Sequence, residues 1–141
     1  TDHLSHMEAT LGIHTGSVSV KRPSLGSWVS FGLGTINQNL PSFVVIAPKL
    51  PYGGDQCWSA DFLPAHHEGT RIVPGPRPIE NLKPQSPLAI QERELSLLGQ
   101  FNRRHLKSRG VDPTLAARMQ SFETAFGMQK VILHVDDDQR R

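Results

Sequence analysis

Residues Ser42-Phe43-Val44-Val45-Ile46-Ala47 set the fold class, and Pro48 ends the run. Past Ser42 the run is apolar without interruption and rich in β-branched side chains, which suit a pleated surface. A strand without polar alternation is the kind buried on both faces of a parallel sheet. The chain is therefore read as α/β. Upstream, Asn37 to Pro41 is a polar turn. Before it, Arg22-Pro23-Ser24 opens a predicted helix with Leu25, Trp28, Val29 and Leu33 on one face, and Gly34 ends it as a left-handed cap. Trp28 and Phe31 are read as core. Val18 and Val20 alternate with serines and predict a short extended piece. Asp2 to Gly12 has weak helical character and leads into the His14-Thr15-Gly16 turn.

Downstream, Lys49 to Gln85 is rich in Pro and Gly. It predicts a long irregular excursion, with one helical turn near Ser59–Phe62 and an extended piece at Thr70–Val73. Two helices follow. The first spans about Pro87 to Ser108, with Leu88, Leu95, Leu98 and Leu106 on one face, and Gly110 ends it. Asp112 is a natural N-cap, and Pro113 holds the favoured first helical position. Leu115, Met119, Phe122 and Phe126 then form an apolar packing stripe. The short connection predicts an antiparallel helix pair.

The chain has 141 residues, 12 Gly, 11 Pro, 37% apolar side chains and a formal charge of +2. That charge is too small and too scattered for a nucleic-acid footprint. Its densest cations, Arg103, Arg104, Lys107 and Arg109, sit at a predicted helix end, where they complement the dipole. A lone cysteine, Cys57, excludes an internal disulfide and is read as a small buried residue. No apolar run reaches the length of a membrane span.

Seven histidines invite a metal reading. A zinc-type site needs three or four converging ligands. His3 and His6 stand three apart, and the adjacent His66 and His67 are expected to point apart. HExxH, paired CxxC, GxSxG, P-loop and dinucleotide fingerprints are all missing from the sequence. Asp136-Asp137-Asp138 reads as a solvated tail. The residues by themselves thus give a mixed α/β segment without a complete active site.

Several stretches in order resemble one family. They are Thr1-Asp2 with His6, His14-Thr15-Gly16, and Arg22-Pro23-Ser24-Leu25-Gly26-Ser27-Trp28-Val29. Phe31-Gly32-Leu33-Gly34 and Asn37-Gln38-Asn39-Leu40-Pro41 follow, then Phe62-Leu63-Pro64, Gly69-Thr70 and Asn81-Leu82. Phe101-Asn102 with His105, and Ser121-Phe122-Glu123 with Ala125-Phe126 and Met128, complete the set. The order is similar to the bacterial family called domain of unknown function fifteen-oh-one, whose members resemble sulfatases of the alkaline-phosphatase superfamily.

The resemblance implies an internal fragment, residues 1–128, of an α/β/α sandwich, with residues 129–141 as a divergent tail, disordered or artefactual. It implies a parent that is a metal-dependent hydrolase of sulfate or phosphate esters, with a small-molecule or polysaccharide substrate and export to the periplasm or cell envelope. A divalent metal is expected in that parent and no cofactor in this chain alone, because the family's metal ligands fall outside it. The partners are then the ester and the missing N- and C-terminal parts of the same domain, with neither nucleic acid nor a membrane span. Sulfatases carry a Cys or Ser nucleophile nine residues before a Thr-Gly pair. Counting back from Thr15 gives His6, followed by Met7, Glu8 and Ala9 rather than the Pro-Ser-Arg of sulfatases. His6 is the candidate catalytic residue and His14 stands second. The departure at His6 also admits a non-catalytic binding or cell-envelope protein that keeps the fold.

Overall fold

The computed structural model describes residues 4–79 and 82–138, with the side chains of 132–138 left aside. The chain divides into two compact units, Thr1–Asn37 with Pro41–Ile79, and Gln38–Leu40 with Glu80–Arg141. Among the described residues the fold is mixed α/β, with four α-helices and one two-stranded parallel sheet.

The first unit begins with α1, His6–Thr15, which Gly16 closes in the left-handed conformation by donating its N–H to the Gly12 carbonyl. The extended piece expected at Val18–Val20 is a bend instead. Thr15 Oγ1 and Ser17 Oγ bond the local backbone, the Val20 N–H among it, and this competes with strand pairing.

Helix α2, Leu25–Leu33, follows, and its polarity is the reverse of the expected one. The buried side chains are Ser24, Ser27 and Ser30, at 1%, 0% and 3% exposure. Trp28 and Phe31, read from sequence as core, are half-exposed, and Leu25 and Leu33 are more exposed still. The reason lies in what α2 packs against. Its inner neighbours are carbonyls of the loop after Trp58, and short hydroxyls both reach those carbonyls and leave room for them. Ser24 N–H donates to Ser59 O at 2.9 Å, and Ser27 Oγ donates to the same oxygen at 3.0 Å. Ser24 Oγ in turn accepts from Ser27 N–H and caps the helix.

Strand β1, Val44–Ile46, pairs in parallel with β2, Thr70–Ile72, in the register Val44↔Thr70, Val45↔Arg71, Ile46↔Ile72. The guanidinium of Arg71 fastens the end of β1 by donating from Nε to Ala47 O at 2.9 Å. β1 is not buried on both faces as expected, since Val44 and Ile46 are 45% and 71% exposed. β2 is its one strand partner among the described residues, and that face lacks a covering layer.

The connection between the strands carries two 3₁₀ turns, Gly54–Trp58 and Ala65–His67, in place of the helical turn expected at Ser59–Phe62. Asp61 adopts positive φ there, which a helical turn does not allow. Cys57, Trp58, Ala60 and Leu63 are the buried apolar centre of the unit. Two glycines permit its close approaches. A Cβ on Gly26 would overlap the Phe43 ring, and one on Gly69 would lie 2.8 Å from Trp58 and Val45.

In the second unit α3, Leu88–Arg109, and α4, Pro113–Asp138, form an antiparallel hairpin. Gln91 near the start of α3 bonds Gln129 late in α4 at 2.8 Å, and Glu92 pairs with Lys130 at 2.9 Å. The Lys130 ammonium also sits 4.4 Å from the Phe126 ring centre. Asp112 caps α4 as its sequence position suggests, accepting from the N–H groups of Thr114 and Leu115. Of the expected α4 stripe, Leu115, Met119 and Phe126 are half-buried and Phe122 is exposed. The helix runs on across the 128–129 boundary expected from sequence, through Val131, Ile132 and Leu133.

Two substitutions test this account. Gly26→Ala is expected to destabilise the first unit by about 1–3 kcal/mol, because the Phe43 ring must move. Asp112→Ala is expected to cost about 1 kcal/mol at the hairpin, from loss of the cap. Urea unfolding followed by circular dichroism measures both.

Candidate functional site

The inward serines of α2 lead to a polar cluster of the first unit that contains imidazoles. Ser30 sits one turn beyond Ser27, so its hydroxyl is carried inward on the same helical face. Pro41 and Ser42 bring a second hydroxyl in ahead of β1. Ser30 Oγ and Ser42 Oγ are 2.5 Å apart, and Ser30 Oγ is 2.8 Å from His67 Nδ1. With the proton on Nδ1, His67 donates to Ser30, Ser30 donates to Ser42, and Nε2 keeps its lone pair. In that tautomer Ser30 holds one ring nitrogen and the other is left as an acceptor. Since Ser30 is 3% exposed, it is an orienting group rather than an accessible nucleophile.

His66 and His67 lie on the 3₁₀ turn Ala65–His67, with ring centres 3.9 Å apart and planes at 45°. Neighbours on a regular strand or helix point apart, and that expectation fails for this pair. On the tighter turn the two rings come together. Burial lowers the pKa of both, and for His67 the neighbouring His66 lowers it further. Both are therefore neutral near pH 7 and able to accept a proton. His66 Nδ1 is buried without a hydrogen-bond partner among the described residues. Phe31 meets the His67 ring edge-on at 5.4 Å, and Trp28 stands edge-on to both Phe31 and Phe62. An aromatic rim therefore adjoins the paired imidazoles.

Close by in sequence, Glu68 has its carboxyl pKa raised, by burial first and then by the charge of Asp55. The Cys57 thiol is also pushed up, by burial, and stays protonated. That is consistent with its expected role as a small buried residue.

His6 and His14 are not part of this cluster of contacts. His6 is the first residue of α1, exposed, with its ring stacked on Tyr52 at 5.1 Å. His14 is exposed in the last turn of the same helix. Eight residues of helix separate them by about 12 Å along its axis, so they do not converge. His3 and Asn81 lie outside the described residues. Sequence reasoning passed over Ser30 and Ser42, and it set His67 aside with His66 as a pair expected to point apart. The signals present were the i, i+3, i+6 spacing of Ser24, Ser27 and Ser30 and the His66-His67 doublet. Among the described residues no three His, Cys, Asp or Glu side chains are gathered to hold a metal ion. Nor is any described helix long and apolar enough to cross a membrane.

The lowered histidine pKa values set a sign for stability against pH. The unfolded chain takes up protons near the ordinary value of 6.5, while the folded chain resists them. Folding is favoured fully above 6.5, and this contribution is lost as pH falls through the lowered folded values. Glu68 acts oppositely at lower pH, where its raised pKa favours the folded state as protons bind. The urea midpoint of the first unit is expected to fall from about pH 7 towards about pH 5.5, with a shallower slope in His67→Gln. A midpoint flat across that interval would contradict a half-buried neutral pair.

No curated protein and no solved structure matches the chain. A match to the family described as Protein of unknown function (DUF1501) covers residues 1–137, which takes in the whole hairpin up to the last turn of α4. Extending over nearly the full sequence, through the helices, the paired strands and the serine–histidine cluster alike, that match makes the chain a member of the DUF1501 family.

Proposed function

We propose that this chain forms part of a sulfatase-like hydrolase of sulfate or phosphate esters, and that His67 is its proton-handling group. The observation that carries the reading is the Ser42–Ser30–His67 hydrogen-bond chain, closed on an imidazole that burial keeps neutral. A neutral imidazole with one nitrogen fixed is suited to general base catalysis. In hydrolysis, water attacks sulfur or phosphorus and the bond to the alcohol oxygen breaks. His67 Nε2 takes the proton released by the water and returns it to the departing alcohol. Ser30 and Ser42 act through His67 as positioning residues. His6 retains its place as the pocket candidate at the position of the sulfatase nucleophile, and His14 follows it.

The parallel pair β1–β2 is compatible with an α/β/α sandwich in which further strands flank it. The divalent ion expected of such a parent does not fit the described residues alone. Two neutral imidazoles are too few, and no carboxylate joins them into a ligand set. None of the steps above therefore passes through a metal. A second reading, a non-catalytic binding or cell-envelope protein, is favoured by His6 standing where sulfatases carry Cys or Ser.

The test uses the intact parent, with its flanking sequence restored, against an aryl sulfate and an aryl phosphate. His67→Gln is expected to lower kcat by about 10²–10⁴-fold with folding retained. Ser30→Ala should lower it less and shift the pH profile, as suits a positioning residue. The isolated 141-residue chain is expected to hydrolyse neither ester, with or without added divalent metal. Full activity in the His67→Gln parent would remove His67 from the chemistry, and turnover by the isolated chain would overturn the incomplete-site reading.

A further inference from the structure

The two imidazoles on the Ala65–His67 turn are held in different ways. His67 Nδ1 lies 2.8 Å from Ser30 Oγ, and Phe31 of the same helix meets the ring edge-on at 5.4 Å. His67 is thus tied to α2 by a hydrogen bond and an aromatic contact. His66 leans on His67, ring centre to ring centre at 3.9 Å, and its buried Nδ1 has no hydrogen-bond partner among the described residues. A neutral His66 tolerates this with its proton on Nε2, because Nδ1 then carries only a lone pair. The charged ring carries N–H on both nitrogens, so protonating His66 in place buries a donor without an acceptor. It also sets a charge against the His67 ring, and two imidazolium ions at that separation repel.

Neighbouring charges do not offset that cost. From Pro23 to Pro48, through α2, Ser42 and β1, the chain carries no titratable side chain. The segment around the turn supplies Asp61 and Glu68, the Gly54–Trp58 turn supplies Asp55 and Cys57, and β2 supplies Arg71. Among the described residues none of these bonds or pairs with either ring. Arg71 is spent on the Ala47 and Pro48 carbonyls, and the Cys57 thiol stays protonated. Glu68 has its carboxyl pushed up by burial and by Asp55, so acid weakens its negative charge early.

We propose that the Ala65–His67 turn is an acid-operated switch in which His66 is the moving ring and His67 the fixed one: a proton on His66 drives its ring out of the stack into water, while Ser30 keeps His67 on α2. The swing bares the side of His67 that His66 covers. Burial disfavours the charged form of both rings, so the switch works on the acid side of the ordinary value of 6.5. It requires no substrate and is independent of the hydrolase reading.

Imidazole NMR of the full chain, titrated from about pH 7.5 to about pH 4.5, tests the switch. At the upper end one NOE is expected between the His66 and His67 rings and another between His67 and Phe31. As His66 gains its proton, the first NOE is expected to be lost and the second kept, with helicity by circular dichroism unchanged. In His66→Gln the titration midpoint of His67 is expected to rise, because the neighbouring charge is gone. Should that variant fail to fold, the wild-type titration decides by itself. A His66–His67 NOE that survives protonation of His66 overturns the switch. So does loss of both NOEs together with helicity, which is acid unfolding of the whole unit, or a His67 midpoint that a folded His66→Gln leaves in place.

Discussion

Hydrogen bonds from the α2 serines to the Trp58–Ser59 backbone hold the first unit in its arrangement. Ser27 is fully buried and its hydroxyl donates to Ser59 O, while the Ser24 N–H reaches the same carbonyl. Each such bond is worth only about 1 kcal/mol net, yet leaving the part-buried Ser59 carbonyl without a donor costs about 1–3 kcal/mol. The loop is thus committed to the helix, and the helix to the loop. Other features of the unit take their positions from that contact. Trp58 and Cys57 are buried beneath it, Phe43 fits against Gly26, and Gly69 leaves room for Trp58 and Val45.

This contact also explains why apolar side chains of α2 are turned outward. A helix of nine residues has one inward face, and here the hydroxyls occupy it. Trp28, Val29 and the flanking leucines are left with the opposite face. Amphipathic reasoning assumes that burial follows hydrophobicity, because apolar area usually dominates the free energy. Where the inner neighbour is a set of loop carbonyls, the penalty for unmet polar groups outweighs it. The same inward face then carries Ser30 to His67, so the packing contact and the orientation of the imidazole share one element.

Membership of DUF1501 gives the chain a family but not a reaction. What bears on chemistry is local: two imidazoles 3.9 Å apart, kept neutral by burial, one of them tied to two hydroxyls. The rings of Phe31, Trp28 and Phe62 border that pair.

Elements with local signals were legible in the residues alone. The N-cap at Asp112, the terminating Gly34 and Gly110, the helix hairpin, the β1 run and the extended piece at Thr70 all follow from one residue's dihedral preference or from short-range periodicity. The family resemblance was equally legible in the order of short motifs, and the match through residue 137 agrees with it. Contacts between distant segments settled the rest: which side of α2 is buried, how far the β1 faces are covered, and that Ser30, Ser42 and His67 meet. Those three residues come from separate elements, with Ser30 and His67 separated by 37 in sequence. No local preference links them. Their meeting depends on where the serine-bonded loop lies and on a tight turn that draws two adjacent rings together, which spacing along the chain does not encode.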